Sequence, residues 1–323
     1  MNTDVSTLDN IKKEHFLRNF MDDIKPLIPY FEDEKVTDIR TSHAGEIIVK
    51  KFGQGKIFTN QILTKTKVRG IILSAAALLE KNIDPVNGTP KLEGVIPPPY
   101  NARITGLLSP WLEYPVVFFR IPPKIIYPLE NYVEEKRMSI TQYDVICKFI
   151  KERKNILIGG ATGSGKTTFT NAVLKKMVEY TPNDSFYIVE DVPELQINAR
   201  DKTPLAVKPK EAAEAVRTAL RCFPDRIIFG EVRYGEVANE LLKSWNTGHT
   251  GNVTTIHADE SSTMIERIED LLREEIKGTL PNVSKTIHMC VHLSMTNDGP
   301  IVDEVKITSD GSSFYHKNSR LAT

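Results

Sequence analysis

Hydrophobic positions along the chain follow two different rhythms. Between Leu8 and Phe31, the residues Ile11, Phe16, Phe20, Ile24, Leu27 and Ile28 recur near the helical period, which predicts an amphipathic helix packed on its own domain or on a neighbouring subunit. Two short apolar runs, GEIIVKKF and KIFTN, flank the turn Gly53-Gln54-Gly55 and predict a hairpin. A helix is expected over about Lys67 to Glu80, followed by the proline-rich loop VIPPPY and by strands within NARITGLL and VVFFRIPP. The order helix, hairpin, helix, strand, strand describes a small α+β domain over residues 1–122. Pro122, Pro123 and Pro128 interrupt the pattern, so residues 123–137 are expected to form a linker.

From residue 138 to 323 the rhythm changes to strands alternating with helices. NILIG, a helix from about Lys166, FYIVE, a helix from about Pro209, RIIFGE, another helix and NVTTIHA follow in turn. Such alternation predicts an α/β, RecA-like P-loop domain, with a mainly parallel sheet and helices on both faces. The residues from Gly311 onward, GSSFYHKNSRLAT, look like a tail and are expected to fray.

The sharpest motif lies where the first of these strands meets its helix. Gly160-Ala161-Thr162-Gly163-Ser164-Gly165-Lys166-Thr167, followed by Thr168, fits GxxxxGK[ST] between an apolar strand and a plausible helix. A polyphosphate needs backbone N–H groups at close range and the positive end of a helix, worth roughly half a unit charge. Glycines permit that approach, Lys166 adds a cation for the β- and γ-phosphates, and the Thr167 hydroxyl completes part of a Mg²⁺ shell. ATP with Mg²⁺ is the expected ligand. A nucleotide loop alone does not separate a motor from a small-molecule kinase or a switch GTPase.

Further chemistry gathers at the ends of later strands. Glu190, Asp191 and Glu194 follow FYIV, at the sheet edge where open α/β folds bind ligands, and one of them could orient and activate an attacking water. Arg226-Ile-Ile-Phe-Gly230-Glu231-Val-Arg233 resembles a Walker B strand without its usual aspartate, leaving Glu231 to hold Mg²⁺ through water or to share the role of base. His249 and His257 bracket the next strand; His257, at its far end, is expected to sense the γ-phosphate or the water.

Charge and cysteine content narrow the function. Lysine plus arginine equals aspartate plus glutamate, 42 of each, so no overall field draws in polyanions and direct sequence-specific nucleic-acid binding is not expected. Cys147, Cys222 and Cys290 are far apart and lack CxxC spacing, as expected of reduced, buried thiols in a cytosolic protein. The first residues carry no apolar leader and no stretch is long enough to span a bilayer, so any membrane association is expected to be peripheral.

Taken together, four ordered motifs resemble one family. GGATGSGKTT resembles the Walker A of the ring-forming ATPases of type IV secretion and conjugation, IVEDVPEL their aspartate box, LRCFPDRIIFGEVR their Walker B segment and WNTGHTGNVTTIHA their histidine box. The similarity covers residues 100–307 and is nearest to the TrbB-type conjugal transfer ATPases. It implies Lys166 and Thr167 on phosphate and magnesium, Glu194 as the aspartate-box acid, Glu231 as the Walker B acid and His257 as the sensor. It also implies that Arg103 and Arg120 of the first domain are presented to the nucleotide, as guanidinium groups suit phosphate.

The family's organisation would be a homohexamer on the cytoplasmic face of the inner membrane, docked on secretion or conjugation proteins and driven by ATP hydrolysis and inter-domain motion. Where relatives usually read RMRPD, this chain has Arg221-Cys-Phe223-Pro-Asp225, so an arginine is missing at Phe223 while Arg217 and Arg221 remain interface candidates. A type II secretion or type IV pilus motor, and a DNA-dependent translocase, are the alternatives.

Overall fold

A computed structural model describes residues 3–51, 54–83, 89–122, 124, 126–296, 299–309 and 311–315, with side chains described from residue 12 onward. Gly53 and Pro123, and the chain beyond Tyr315, lie outside the described residues, as does the side chain of Ile11. The chain divides into two compact units, Met1–Ile125 and Ile126–Thr323.

The first unit runs α1 (Thr3–Asp23), a 3-10 turn (Lys25–Leu27), α2 (Ile28–Glu32), β1 (Val36–Thr41), β2 (Glu46–Lys51), β3 (Gly55–Ile62), α3 (Lys65–Leu78), β4 (Lys91–Val95), β5 (Arg103–Leu107) and β6 (Val116–Arg120). The single helix expected from Leu8 to Phe31 is thus three pieces. Pro26 and Pro29 lack the N–H that a continuous helix requires, and both sit in the first turn of a new segment. Thr64 caps α3 by accepting from the Lys67 amide. The strands form one antiparallel sheet in the order β3-β2-β1-β6-β5-β4. Phe20, Ile24, Leu27 and Phe31 pack with Val68, Ile71 and Ile72 of α3 on Ile39, Ile47, Ile104 and Phe119 of the sheet. The expected α+β domain is present, with β1 and β4 as additions.

The second unit runs α4 (Leu129–Glu134), α5 (Ile140–Lys151), β7 (Ile156–Gly160), α6 (Lys166–Tyr180), β8 (Ser185–Glu190), β9 (Asp201–Ala206), α7 (Ala212–Ala219), β10 (Arg226–Val232), α8 (Gly235–Asn246), β11 (Val253–His257), α9 (Met264–Glu275), α10 (Val283–Thr286), β12 (Met289–Thr296), β13 (Gly299–Ile307) and β14 (Ser313–Tyr315). Its sheet has the order β14-β13-β12-β7-β11-β10-β8-β9, parallel from β9 through β12 and antiparallel at β13 and β14. One face carries α4, α5 and α6 through Leu129, Ile146, Phe149, Phe169 and Val173; the other carries α7, α8 and α9 through Val216, Leu241 and Leu271. This is the α/β, mainly parallel architecture that the alternation of strands and helices predicts.

Two stretches run against expectation, and β9, β12 and β13 are strands beyond the four expected in the second unit. Residues 129–134, inside the expected linker, form α4, because Leu129 and Tyr132 find places in the core of the second unit. Residues 313–315, expected to fray, pair with β13 as β14. Their anchor is Gln142 of α5, fully buried, whose amide donates to the carbonyls of Val302 (3.1 Å) and Phe314 (2.9 Å). Of the three cysteines, Cys147 and Cys290 are buried thiols as expected, but Cys222 is exposed, since it lies in the loop between α7 and β10.

Candidate active site

A parallel sheet lines up the ends of its strands, and here the registers bring the motif residues together. Gly160 of β7 stands beside His257 of β11, and Glu231 of β10 stands beside Thr255 of the same strand. Glu190 closes β8, the other neighbour of β10. From Gly160 the chain turns through residues 161–165 and enters α6 at Lys166. Gly165 holds a left-handed conformation (φ 87°), and a Cβ there would lie 2.9 Å from Pro300 Cβ, so no other residue fits without displacement.

Lys166 is 8% exposed, and its ammonium group donates to the carbonyls of Gly160 (2.7 Å) and Ala161 (2.9 Å). Burial lowers its pKa from the ordinary lysine value, against the opposing attraction of Glu231. The Nζ also lies 3.3 Å from His257 Nδ1. On its other side, His257 Nε2 is 2.6 Å from Glu231 Oε1. This is closeness without hydrogen-bond alignment: Oε1 is a buried acceptor that no donor among the described residues satisfies. Burial, with Lys166 and Arg233 nearby, lowers the His257 pKa and favours the neutral ring, while Glu231 pulls the other way.

The second oxygen of Glu231 is taken by Arg233. Its Nε donates to Glu231 Oε2 at 2.8 Å, Nη2 reaches the same oxygen, and Nη1 bonds Asp191 Oδ2 at 2.8 Å. Arg233 therefore ties Glu231 to the loop that carries Asp191, a connection visible in the sequence only as the last residue of GEVR. The Thr167 hydroxyl donates to Glu194 Oε2 at 3.3 Å, and Asn171 Nδ2 donates to the Glu194 carbonyl at 3.3 Å. Asn171, one turn further along α6, carries no motif that would have singled it out.

Lys166, Thr167, Glu194, Glu231 and His257 are thus neighbours in the second unit. Arg103 and Arg120 face each other across β5 and β6 of the first unit. Arg120 is exposed and donates from Nε to Asp38 Oδ1 at 3.3 Å. His249 sits at the opposite end of β11 from His257, its Nδ1 2.9 Å from the Pro224 carbonyl oxygen.

The donor set fits Mg²⁺ held partly by substrate. Mg²⁺ is usually bound by one or two protein oxygens together with phosphates and waters. Thr167 and the unsatisfied Glu231 Oε1 supply oxygens of that kind, while no cluster of three or more acidic, histidine or cysteine ligands exists among the described residues.

A strand, glycine loop and helix with acids and a histidine on adjoining strand ends define the nucleotide-binding class of α/β fold. Residues 115–303 match the family T2SSE, described as Type II/IV secretion system protein, and the chain belongs to that family. It is 33% identical over 276 residues to the conjugal transfer protein TrbB of Rhizobium radiobacter, covering 85% of this chain and 84% of that one. It is 27% identical to the type IV secretion system protein VirB11 of Bartonella henselae, covering 83% and 87%. Among solved structures, the Legionella pneumophila ATPase DotB shares the fold with a TM-score of 0.65 at 20% identity, over 88% of this chain and 80% of that one. The pilus retraction motor PilT with bound ADP does so with a TM-score of 0.61 at 20% identity, over 87% and 82%.

Proposed function

We propose that the chain hydrolyses ATP at the loop 160–167 and works as a hexameric motor of a type IV secretion or conjugative-transfer machine. The observation that carries this reading is the meeting of Lys166, Glu231, His257 and the Thr167–Glu194 pair at the mouth of α6. The similarity to TrbB and VirB11 supports the secretion and conjugation setting.

In this reading the amides of residues 161–167 and the N-terminus of α6 receive the phosphates, and Lys166 leaves the Gly160 and Ala161 carbonyls for the β- and γ-phosphates. Thr167 and Glu231 would hold Mg²⁺, Glu231 through water, and charge on the phosphates would be neutralised there when it is bound. Glu194 accepts a proton from the attacking water, and neutral His257 bonds to the γ-phosphate or to that water. Arg103 and Arg120 add guanidinium charge to the developing phosphoryl group, and relative motion of the two units at the stretch before α4 delivers the work. No helix among the described residues is long and apolar enough to cross a membrane. The motor is assigned to the cytoplasmic side of the inner membrane, attached peripherally to secretion or conjugation proteins.

Phosphate release measured with and without DNA tests the assignment. Turnover without DNA is expected; turnover strictly dependent on DNA would make the chain a translocase, and none at all would leave a nucleotide-binding scaffold. Glu194→Gln should lower kcat by about 10²- to 10⁴-fold, the usual worth of a general base, with nucleotide affinity retained. Arg120→Ala should slow hydrolysis by about 10³-fold or more, and an unchanged rate would remove the first unit's arginines from the reaction.

A further inference from the structure

Glu194 stands on irregular backbone: residues 191–200 belong to no helix or strand. An acid on such a segment needs tethers if it is to keep one position, and the loop has two. Asn171 is one, donating to the Glu194 carbonyl and accepting from the Gln196 amide at 2.8 Å. Glu190 is the other. Its Oε1 accepts from the amides of Glu194 (3.0 Å) and Leu195 (2.9 Å), and the whole residue is 6% exposed. Its side chain lies over Gly230, where a Cβ would come within 3.2 Å of Glu190 Cγ, so β10 leaves room for it immediately before Glu231.

We propose that Glu190 is a positioning residue for hydrolysis, its carboxyl oxygen pinning the turn at 194–195 so that the Glu194 side chain stays at the Thr167 hydroxyl. Burial, only partly offset by the two amide donors, pushes the Glu190 pKa up to about 7, so the fold tolerates a carboxyl where ionisation is disfavoured. What the side chain provides is reach: β8 ends at this residue, and an acceptor oxygen must span from its last Cα to amides four and five residues on.

This inference rests on Glu194 being the base, and reach can be separated from charge by experiment. Glu190→Asp keeps the charge but withdraws the oxygen by about 1.5 Å, one carbon–carbon bond. Glu190→Gln keeps the reach and an acceptor oxygen but not the charge. In the full-length protein, Glu190→Asp and Glu190→Ala should lower kcat by about 10²-fold, the usual effect of a misplacement near 1 Å, while Glu190→Gln recovers to within about threefold of the parent. The dissociation constant of a fluorescent ATP analogue should change by less than about threefold throughout, since phosphate binding does not use Glu190.

Loss in Glu190→Gln with activity kept in Glu190→Asp would overturn the proposal in favour of a role for charge. Full kcat in all three variants would overturn it outright. If Glu190→Ala does not fold, the Asp and Gln pair still decides. Glu194→Gln assayed alongside keeps the two readings apart: full turnover there removes Glu194 as base, whereas loss there with full turnover in Glu190→Asp removes only the positioning role.

Discussion

Replacing Arg226 by alanine is expected to cost about 3–5 kcal/mol of stability, the typical penalty for leaving a buried charge without its partner. Arg226 opens β10 and is fully buried among apolar strands. Its Nε donates to Asp184 Oδ2 at 2.7 Å, Nη2 to Thr181 Oγ1 at 3.1 Å, and Nη1 to the Gly251 carbonyl. Asp184, also buried, is bonded by Arg153 as well. Burial works against the Asp184 carboxylate, yet the bonds from Thr181 and Arg226, with the nearby Arg153 charge, hold its pKa below the usual value. Alanine would leave that carboxylate to Thr181 and the partly exposed Arg153, remove the donor to the Gly251 carbonyl and open a cavity. Lysine would not rescue it, because one ammonium cannot reproduce a fork that bonds three separate acceptors.

Urea unfolding followed by fluorescence in a Trp111→Phe background, which leaves Trp245 as the reporter, provides the check. The Trp245 indole donates to the carbonyl of Ile227, the residue after Arg226, at 3.2 Å, so it reports on this end of the sheet. The midpoint should fall with little change in slope. A loss below about 1 kcal/mol would mean that the network is compensated elsewhere, which a fully buried guanidinium makes hard to arrange.

The same residue marks the limit of what the sequence discloses. The motifs LRCFPDRIIFGEVR and WNTGHTGNVTTIHA are legible as strands leading to a site, because apolar runs ending in acids or histidine point to the edge where ligands bind. Their other halves serve the opposite end of the sheet. Gly251 (φ 75°) has room for no side chain, since a Cβ would lie 2.3 Å from Arg226 Nη1. Asn252 accepts from the Ile227 amide (2.8 Å) and donates to Asn155 Oδ1 (2.9 Å). His249 belongs to this layer and not to the site. The linear order, which puts His249 before the strand and His257 at its end, agrees with where the register places them.

Tertiary context decided the other differences too. β1 and β4 read VTDIRT and KLEGV, too polar and too short to stand out, and they become strands through pairing with β2, β6 and β5. Phe223, which replaces an arginine of the family pattern, sits at the loop tip 88% exposed with φ 38°, a position where packing cannot explain the aromatic ring. Arg217, carried as an interface candidate, is engaged within the chain by Glu214, Glu236 and Glu240.

The second large effect should fall on activity alone. Lys166→Ala is expected to reduce ATP turnover to background, a loss of at least about 10³-fold, because a preorganised charge at the transferring phosphoryl group disappears. A structural lysine would behave otherwise, with stability and activity falling together. Here the two should part, for a reason visible in the electrostatics. Burial lowers the Lys166 pKa, so holding the ammonium in place costs the fold free energy even with the Gly160 and Ala161 carbonyls as acceptors. Removing the ammonium relieves that cost, and the small cavity left lies beside solvent-facing loop residues at 161–163. The melting temperature should therefore stay within about 3 °C of the parent, as a change under about 1 kcal/mol implies for a chain of this size. Melting curves and phosphate release on the same preparations would decide. Turnover surviving in Lys166→Ala would refute the nucleotide site, whereas a large drop in melting temperature would show that the lysine is kept for the loop and not for the phosphate.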